Sequence, residues 1–108
     1  MPDNGKDFRL LTQSDFDGLV CAALLKNLSL IHEVKFVHPR EMQEGLISVT
    51  HNDIVADLPY VDGVYRVFNH DFGEQLRVGK KSNHIIEPGS SSAARVLYNY
   101  FGGASTFP

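Results

Sequence analysis

Phe8-Arg9-Leu10-Leu11 runs straight into Thr12-Gln13-Ser14-Asp15-Phe16-Asp17-Gly18, and a helical apolar pattern over residues 18–28 begins without a linker. A short apolar run that empties into polar residues reads as a buried strand, and the change of hydrophobic period from 2 to 3.6 reads as a strand-to-helix junction. Asp15 and Asp17 stand at the mouth of that strand and the head of that helix. Two carboxylates so placed form a natural site for a hard divalent cation and the phosphate it holds, which points to phosphoester chemistry.

The pattern repeats downstream. Residues 32–37 alternate polar and apolar and predict a second strand, closed by His38-Pro39 where proline forbids continuation. Residues 41–46 predict one or two helical turns. Asp53-Ile54-Val55-Ala56 predicts a third strand ending at Asp57, and residues 64–68 a fourth ending at Asn69-His70-Asp71. Residues 73–89 lack periodicity and read as loop, with a short strand at His84-Ile85-Ile86. Ser90-Ser91-Ser92 then caps a helix over residues 93–101, stopped by Gly102-Gly103. The helix over residues 18–28 is apolar nearly all round, which predicts burial on all sides. Residues 1–7 read as a flexible arm and 8–108 as a single α/β domain with an open, mainly parallel sheet and helices on both faces.

The bulk numbers narrow the function. A chain of 108 residues with 43% hydrophobic content supports one core. Ten basic against thirteen acidic residues leave a formal charge of −3, so the surface offers nucleic acid or anionic lipid no broad attraction, and any anion must be caught locally. The lone Cys21 cannot close an internal disulfide, no apolar leader opens the chain, and no apolar run approaches the roughly 20 residues of a membrane span. These features lead us to expect a cytoplasmic protein without a membrane anchor.

In open parallel sheets the ligand sits outside the carboxyl ends of the strands, where strand order reverses. Asp15, Asp17, Asp57, His70 and Asp71 all fall at such ends, so segments far apart in sequence would converge on one crevice. Carboxylates with an imidazole suit Mn²⁺ or Mg²⁺ better than a thiolate-seeking metal, and bare carboxylates in one cleft repel each other until a cation neutralises them. Each piece has a plainer reading. Asp-x-Asp at a helix start can be only a cap, Asp57 before Leu58-Pro59 can start a turn, and a lone histidine can be a surface residue. Their joint placement at strand ends favours the metal. Ser91 and Ser92 could offer hydroxyls and free amides to a phosphate at a helix start, or simply cap it. His38 could touch substrate, or serve only the turn before Pro39. Lys80 and Lys81 read as a solvated loop pair, and Cys21 as a small core residue.

These residues resemble the DHH phosphoesterase family, and more narrowly its exopolyphosphatase-related members. The family motif His-x-Asp-x-Asp-Gly is similar to Gln13-Ser14-Asp15-Phe16-Asp17-Gly18 except at the leading histidine. The lone strand-end aspartate of the second motif resembles Asp57, and the eponymous Asp-His-His falls on Asn69-His70-Asp71. The likeness runs from Phe8 to Phe107. It implies a Rossmann-like domain with Mn²⁺ ions held by Asp15, Asp17, Asp57 and His70, with Asn69 and Asp71 at the catalytic positions. It also implies hydrolysis of phosphodiester or phosphoanhydride bonds in a phosphate-containing small molecule, polyphosphate or an oligonucleotide. Gln13, Asn69 and Asp71 depart from the motifs and weaken one of the two implied metal sites. A further metal-binding aspartate and a substrate domain are implied beyond Pro108, so the chain corresponds to the N-terminal portion of such a domain. The alternative is a non-catalytic relative that binds metal, nucleotide or a protein partner. A haloacid-dehalogenase-type phosphatase, with Asp15 as nucleophile, lacks a convincing acidic pair downstream. An exposed sheet edge would favour a homo-oligomer.

Overall fold

The chain is described here from a computed structural model covering residues 7–87 and 89–107; the expected arm therefore lies, but for Asp7, outside the described residues. The strands are β1 (Phe8–Thr12), β2 (Ile31–Phe36), β3 (Asp53–Ala56), β4 (Arg66–Asn69) and β5 (His84–Ile86). The helices are α1 (Phe16–Asn27), α2 (Pro39–Gln43), α3 (Phe72–Val78) and α4 (Ala93–Tyr100), followed by a 3₁₀ turn at Gly103–Ser105. All strand pairs are parallel and the order is β2-β1-β3-β4-β5. The expected α/β fold with a parallel sheet is what the chain adopts.

Alternation along the central strands sends neighbouring residues to opposite faces. Leu10, Ile54, Ala56 and Phe68 join Cys21 and Leu25 of α1 and Val96 and Leu97 of α4 in one core layer. Leu11, Val55 and Val67 join Met42 of α2, with Val78 of α3 packed at the margin, in the other. Helices therefore cover both faces. In β1 to β3 the register pairs Leu10 with Ile54 and Thr12 with Ala56, and the Thr12 hydroxyl donates to the Ala56 carbonyl at 2.8 Å. The carboxyl ends of β1 and β3 are thus locked level with each other.

Three expectations need correction. Helix α1 is not buried all round: Gly18, Cys21 and Leu25 are enclosed, whereas Phe16 is 81% and Leu19 55% exposed. The near-uniform apolar pattern hid which stripe faces the sheet. Helix α2 starts at Pro39 rather than Glu41, because His38 and Glu41 form a capping box with proline at the first turn, where its missing N–H costs nothing. Helix α3 replaces part of the expected loop at residues 73–89. Asp71 caps it by accepting from Gly73 N at 2.9 Å, and Glu74 pairs with Arg77 one turn on. Its cap and tertiary bonds hold it, and of its described apolar side chains Val78 packs against the core while Leu76 is 70% exposed.

Candidate metal centre

Strand order turns between β1 and β3, and there the chain leaves each strand through the segments that carry the acidic residues. After β1, Asp15 caps α1 by accepting from Gly18 N at 2.8 Å. Gly18 is obligatory: a Cβ there would lie 2.0 Å from the Gln13 carbonyl oxygen and 2.9 Å from the Thr12 hydroxyl. Asp17, in the first turn of α1, accepts from Ala93 N at 3.0 Å and Ala94 N at 2.8 Å, so one carboxylate ties α1 to the start of α4.

After β3, Asp57 holds a left-handed backbone with φ of 63°, a conformation that aspartate and asparagine tolerate better than most residues. Its segment is fastened from several sides. Gln13 Nε2 donates to the Asp57 carbonyl at 2.9 Å and to its Oδ2 at 3.3 Å. Asn69 Nδ2 donates to the Leu58 carbonyl at 2.9 Å. Tyr60 N donates to Glu74 Oε2, and Arg77 Nη2 donates to the Tyr60 carbonyl at 3.1 Å and to Glu74 at 2.6 Å. A helix of about two turns thereby grips both polar groups of one residue, Tyr60, in the segment that presents Asp57.

Ligand atoms of Asp17, Asp57 and His70 lie within 4.8 Å of one another, each residue half-buried. Asp15, the cap of α1, lies near enough to Asp57 to raise its pKa but is not part of that cluster. Burial, first, and then the charge of Asp17 and the contact with Asp15 push the Asp57 carboxyl up to about 7, against the bond from Gln13. Two carboxylates and an imidazole crowded this closely form a donor set lacking positive charge, which suits a hard divalent cation. Of the five residues expected to converge, Asp17, Asp57 and His70 cluster, Asp71 lines the cleft with Asp57 and His70, and Asp15 stands next to Asp57.

The other candidates fare differently. Asn69 is 6% exposed and its amide is committed: Nδ2 faces the Leu58 carbonyl, which can only accept, so Oδ1 faces His84 Nε2 at 2.7 Å and that nitrogen carries the proton. Burial lowers the pKa of His84. Asp71 lines the cleft beside His70 and caps α3. His38 spends its Nδ1 on Arg40 N at 3.0 Å, and Ser92 spends its hydroxyl on Arg95 N at 3.1 Å. Ser91 lies in a separate groove with Arg95 and Asn99. The start of α4 offers a phosphate no free amides, because Asp17 and Ser92 have taken them. Sequence reading passed over Glu74, Arg77 and His84. The spacing Asp71-x-x-Glu74, a helix-start signature, was the available signal for the first two.

Cys21 lies beneath the site with its thiol 4.0 Å from Asp17 Oδ1. Burial, reinforced by the charge of Asp17, raises its pKa well above the usual thiol range. The thiolate is the reacting species. We expect iodoacetamide to label the native chain at least on the order of a hundredfold more slowly than the denatured chain; equal rates by mass spectrometry would contradict the assignment of Cys21 to the core.

Fold and site together define a doubly wound parallel α/β domain whose ligand crevice opens at the switch point between β1 and β3. No family model and no curated protein matches the chain. Among solved structures it is similar to the pGpG-specific phosphodiesterase PggH from Vibrio cholerae, at 48% sequence identity and a TM-score of 0.86 over 94% of this chain. The chain spans 32% of that enzyme's length. It belongs to the DHH phosphoesterase family.

Proposed function

We propose that the domain is the metal-binding part of a phosphodiesterase acting on a short nucleotide, with Mn²⁺ or Mg²⁺ held by Asp17, Asp57 and His70 and supported by Asp15. The convergence of these residues within 4.8 Å, at the switch point of the sheet, carries the reading. The substrate class follows from the likeness to an enzyme described as pGpG-specific, which favours a phosphodiester over polyphosphate. A divalent cation bound there supplies positive charge to the phosphate and acidifies water.

The chain's own residues supply the rest. Asp57 and Asp71 line the cleft with carboxylates, Glu74 being paired with Arg77, so in this reading a phosphate enters once a cation neutralises them. In this reading Asp71, which lines the cleft beside His70, takes a proton from attacking water. Asn69, which also lines the cleft, holds the Asp57 segment through its bond to Leu58 and is itself held by His84. Because Asn69 and Asp71 both serve structural bonds, a second reading is a relative that binds metal and nucleotide without turnover. Calorimetric titration of Mn²⁺ followed by a hydrolysis assay on pGpG separates the two: uptake with turnover supports the enzyme, uptake alone the binding module, and no uptake removes both.

Gln13 is an informative position because its amide presents an N–H toward Asp57, the polarity opposite to that of a metal ligand. Gln13→His replaces this donor with an imidazole that can coordinate. Mn²⁺ affinity is expected to rise by roughly tenfold, in the range by which neighbouring groups tune metal sites. Unchanged or weaker binding by calorimetry would show that Gln13 does not limit the site.

A further inference from the structure

The cleft that contains Asp57 and His70 has a volume of about 540 Å³ and continues past them to Pro39 and Gln43 of α2 and to Pro59. This is within the usual range for a small-ligand site and well beyond what one cation and one phosphate would fill. Besides the carboxylates and the imidazole, its lining includes Pro39 and Pro59, whose rings are rigid and apolar, and three amides. Gln13 is bonded to Asp57, and Asn69 to Leu58 and His84, whereas Gln43 of α2 stands on an exposed position. Apolar rings with an amide able to donate and accept suit a flat heterocycle bearing both kinds of hydrogen-bonding group.

Resting on the metal-site reading above, we infer that the α2 end of the cleft is a nucleobase subsite, with Pro39 and Pro59 flanking the ring and Gln43 reading its edge. Both walls are held in place before any ligand arrives. Pro39 sits in the capped first turn of α2. Pro59 lies between Leu58, whose carbonyl is bonded to Asn69, and Tyr60, whose N–H and carbonyl are bonded to Glu74 and Arg77. A subsite so organised loses little entropy on binding. Gln43 would be a specificity residue and takes no part in the chemistry.

The test compares guanosine 5′-monophosphate with ribose 5-phosphate, which carries the same phosphate and sugar without a base, by calorimetry on the Mn²⁺-loaded chain. The nucleotide should bind roughly tenfold or more tightly than the sugar phosphate, and Gln43→Ala should cut that ratio by roughly fivefold, the worth of about one hydrogen bond. Because Gln43 is exposed, the variant should fold and should bind ribose 5-phosphate as the parent does. Equal affinities for the two ligands, or a ratio that Gln43→Ala leaves unchanged, would overturn the subsite while leaving the metal reading intact. Failure of the loaded chain to bind either ligand would remove the phosphate end as well, and the subsite with it.

Discussion

Asp57→Asn is expected to make the metal-free chain more stable at pH 8 and at the same time to abolish its response to Mn²⁺. The Asp57 carboxyl is raised from 3.8 to about 7 in the folded chain, chiefly by burial and by the nearby Asp17 charge. A carboxyl with a raised folded pKa keeps a proton that the unfolded chain releases. Its stabilising contribution is fully present below the unfolded value and is lost as pH rises through about 7. At pH 8 the folded chain must therefore carry a poorly solvated charge beside Asp15 and Asp17. Asparagine removes that charge, and its side chain tolerates the left-handed backbone at this position. Allowing for solvent screening, the gain is about 1–2 kcal/mol, or roughly 4–8 °C in Tm for each kcal/mol in a domain of this size. At pH 5 the difference should shrink. Thermal melts at both pH values, in chelator and in Mn²⁺, check this: a variant no more stable than the parent at pH 8, or one that Mn²⁺ still stabilises, would contradict the role given to Asp57.

Asp17→Asn should have the opposite effect on stability although it also weakens Mn²⁺ binding. Asp17 accepts backbone N–H groups of Ala93 and Ala94, so the substitution turns an NH₂ group toward at least one buried donor. Leaving such a donor without an acceptor costs about 1–3 kcal/mol, and the loss of negative charge at the start of α4 adds a few tenths of a kcal/mol. Tm should fall by roughly 4–8 °C for each kcal/mol. Two aspartates of one site would then respond to the same chemical change with shifts of opposite sign. A rise in Tm for Asp17→Asn, measured in the same melts, would show that the carboxylate is not the clasp between α1 and α4.

The β-strands were legible because each is a short apolar run with a polar exit, and the exits of β1, β3 and β4 bring Asp17, Asp57 and His70 together. The residues 12–18 were the most informative: strand end, cap, acidic pair and the glycine that alone fits against the Gln13 carbonyl all appear in order. What could not be read was anything decided by distant partners. Helix α3 has no apolar stripe to announce it, and its anchors, Tyr60 and the Asp57 segment, lie 14 or more residues upstream. Ser92 Oγ and His38 Nδ1 each cap a helix, a use that their place in the sequence left open beside contact with a phosphate or substrate. Asn69 resembled a motif position in sequence, whereas its bonds to Leu58 and His84 make it a brace for the neighbouring strand end.

The clasp between Asp17 and Ala93 spans 76 positions of the chain. During vectorial synthesis every ligand of the proposed ion site emerges before the partner that orients Asp17 has been made. The proposed ion site is therefore fully oriented only once α4 has docked.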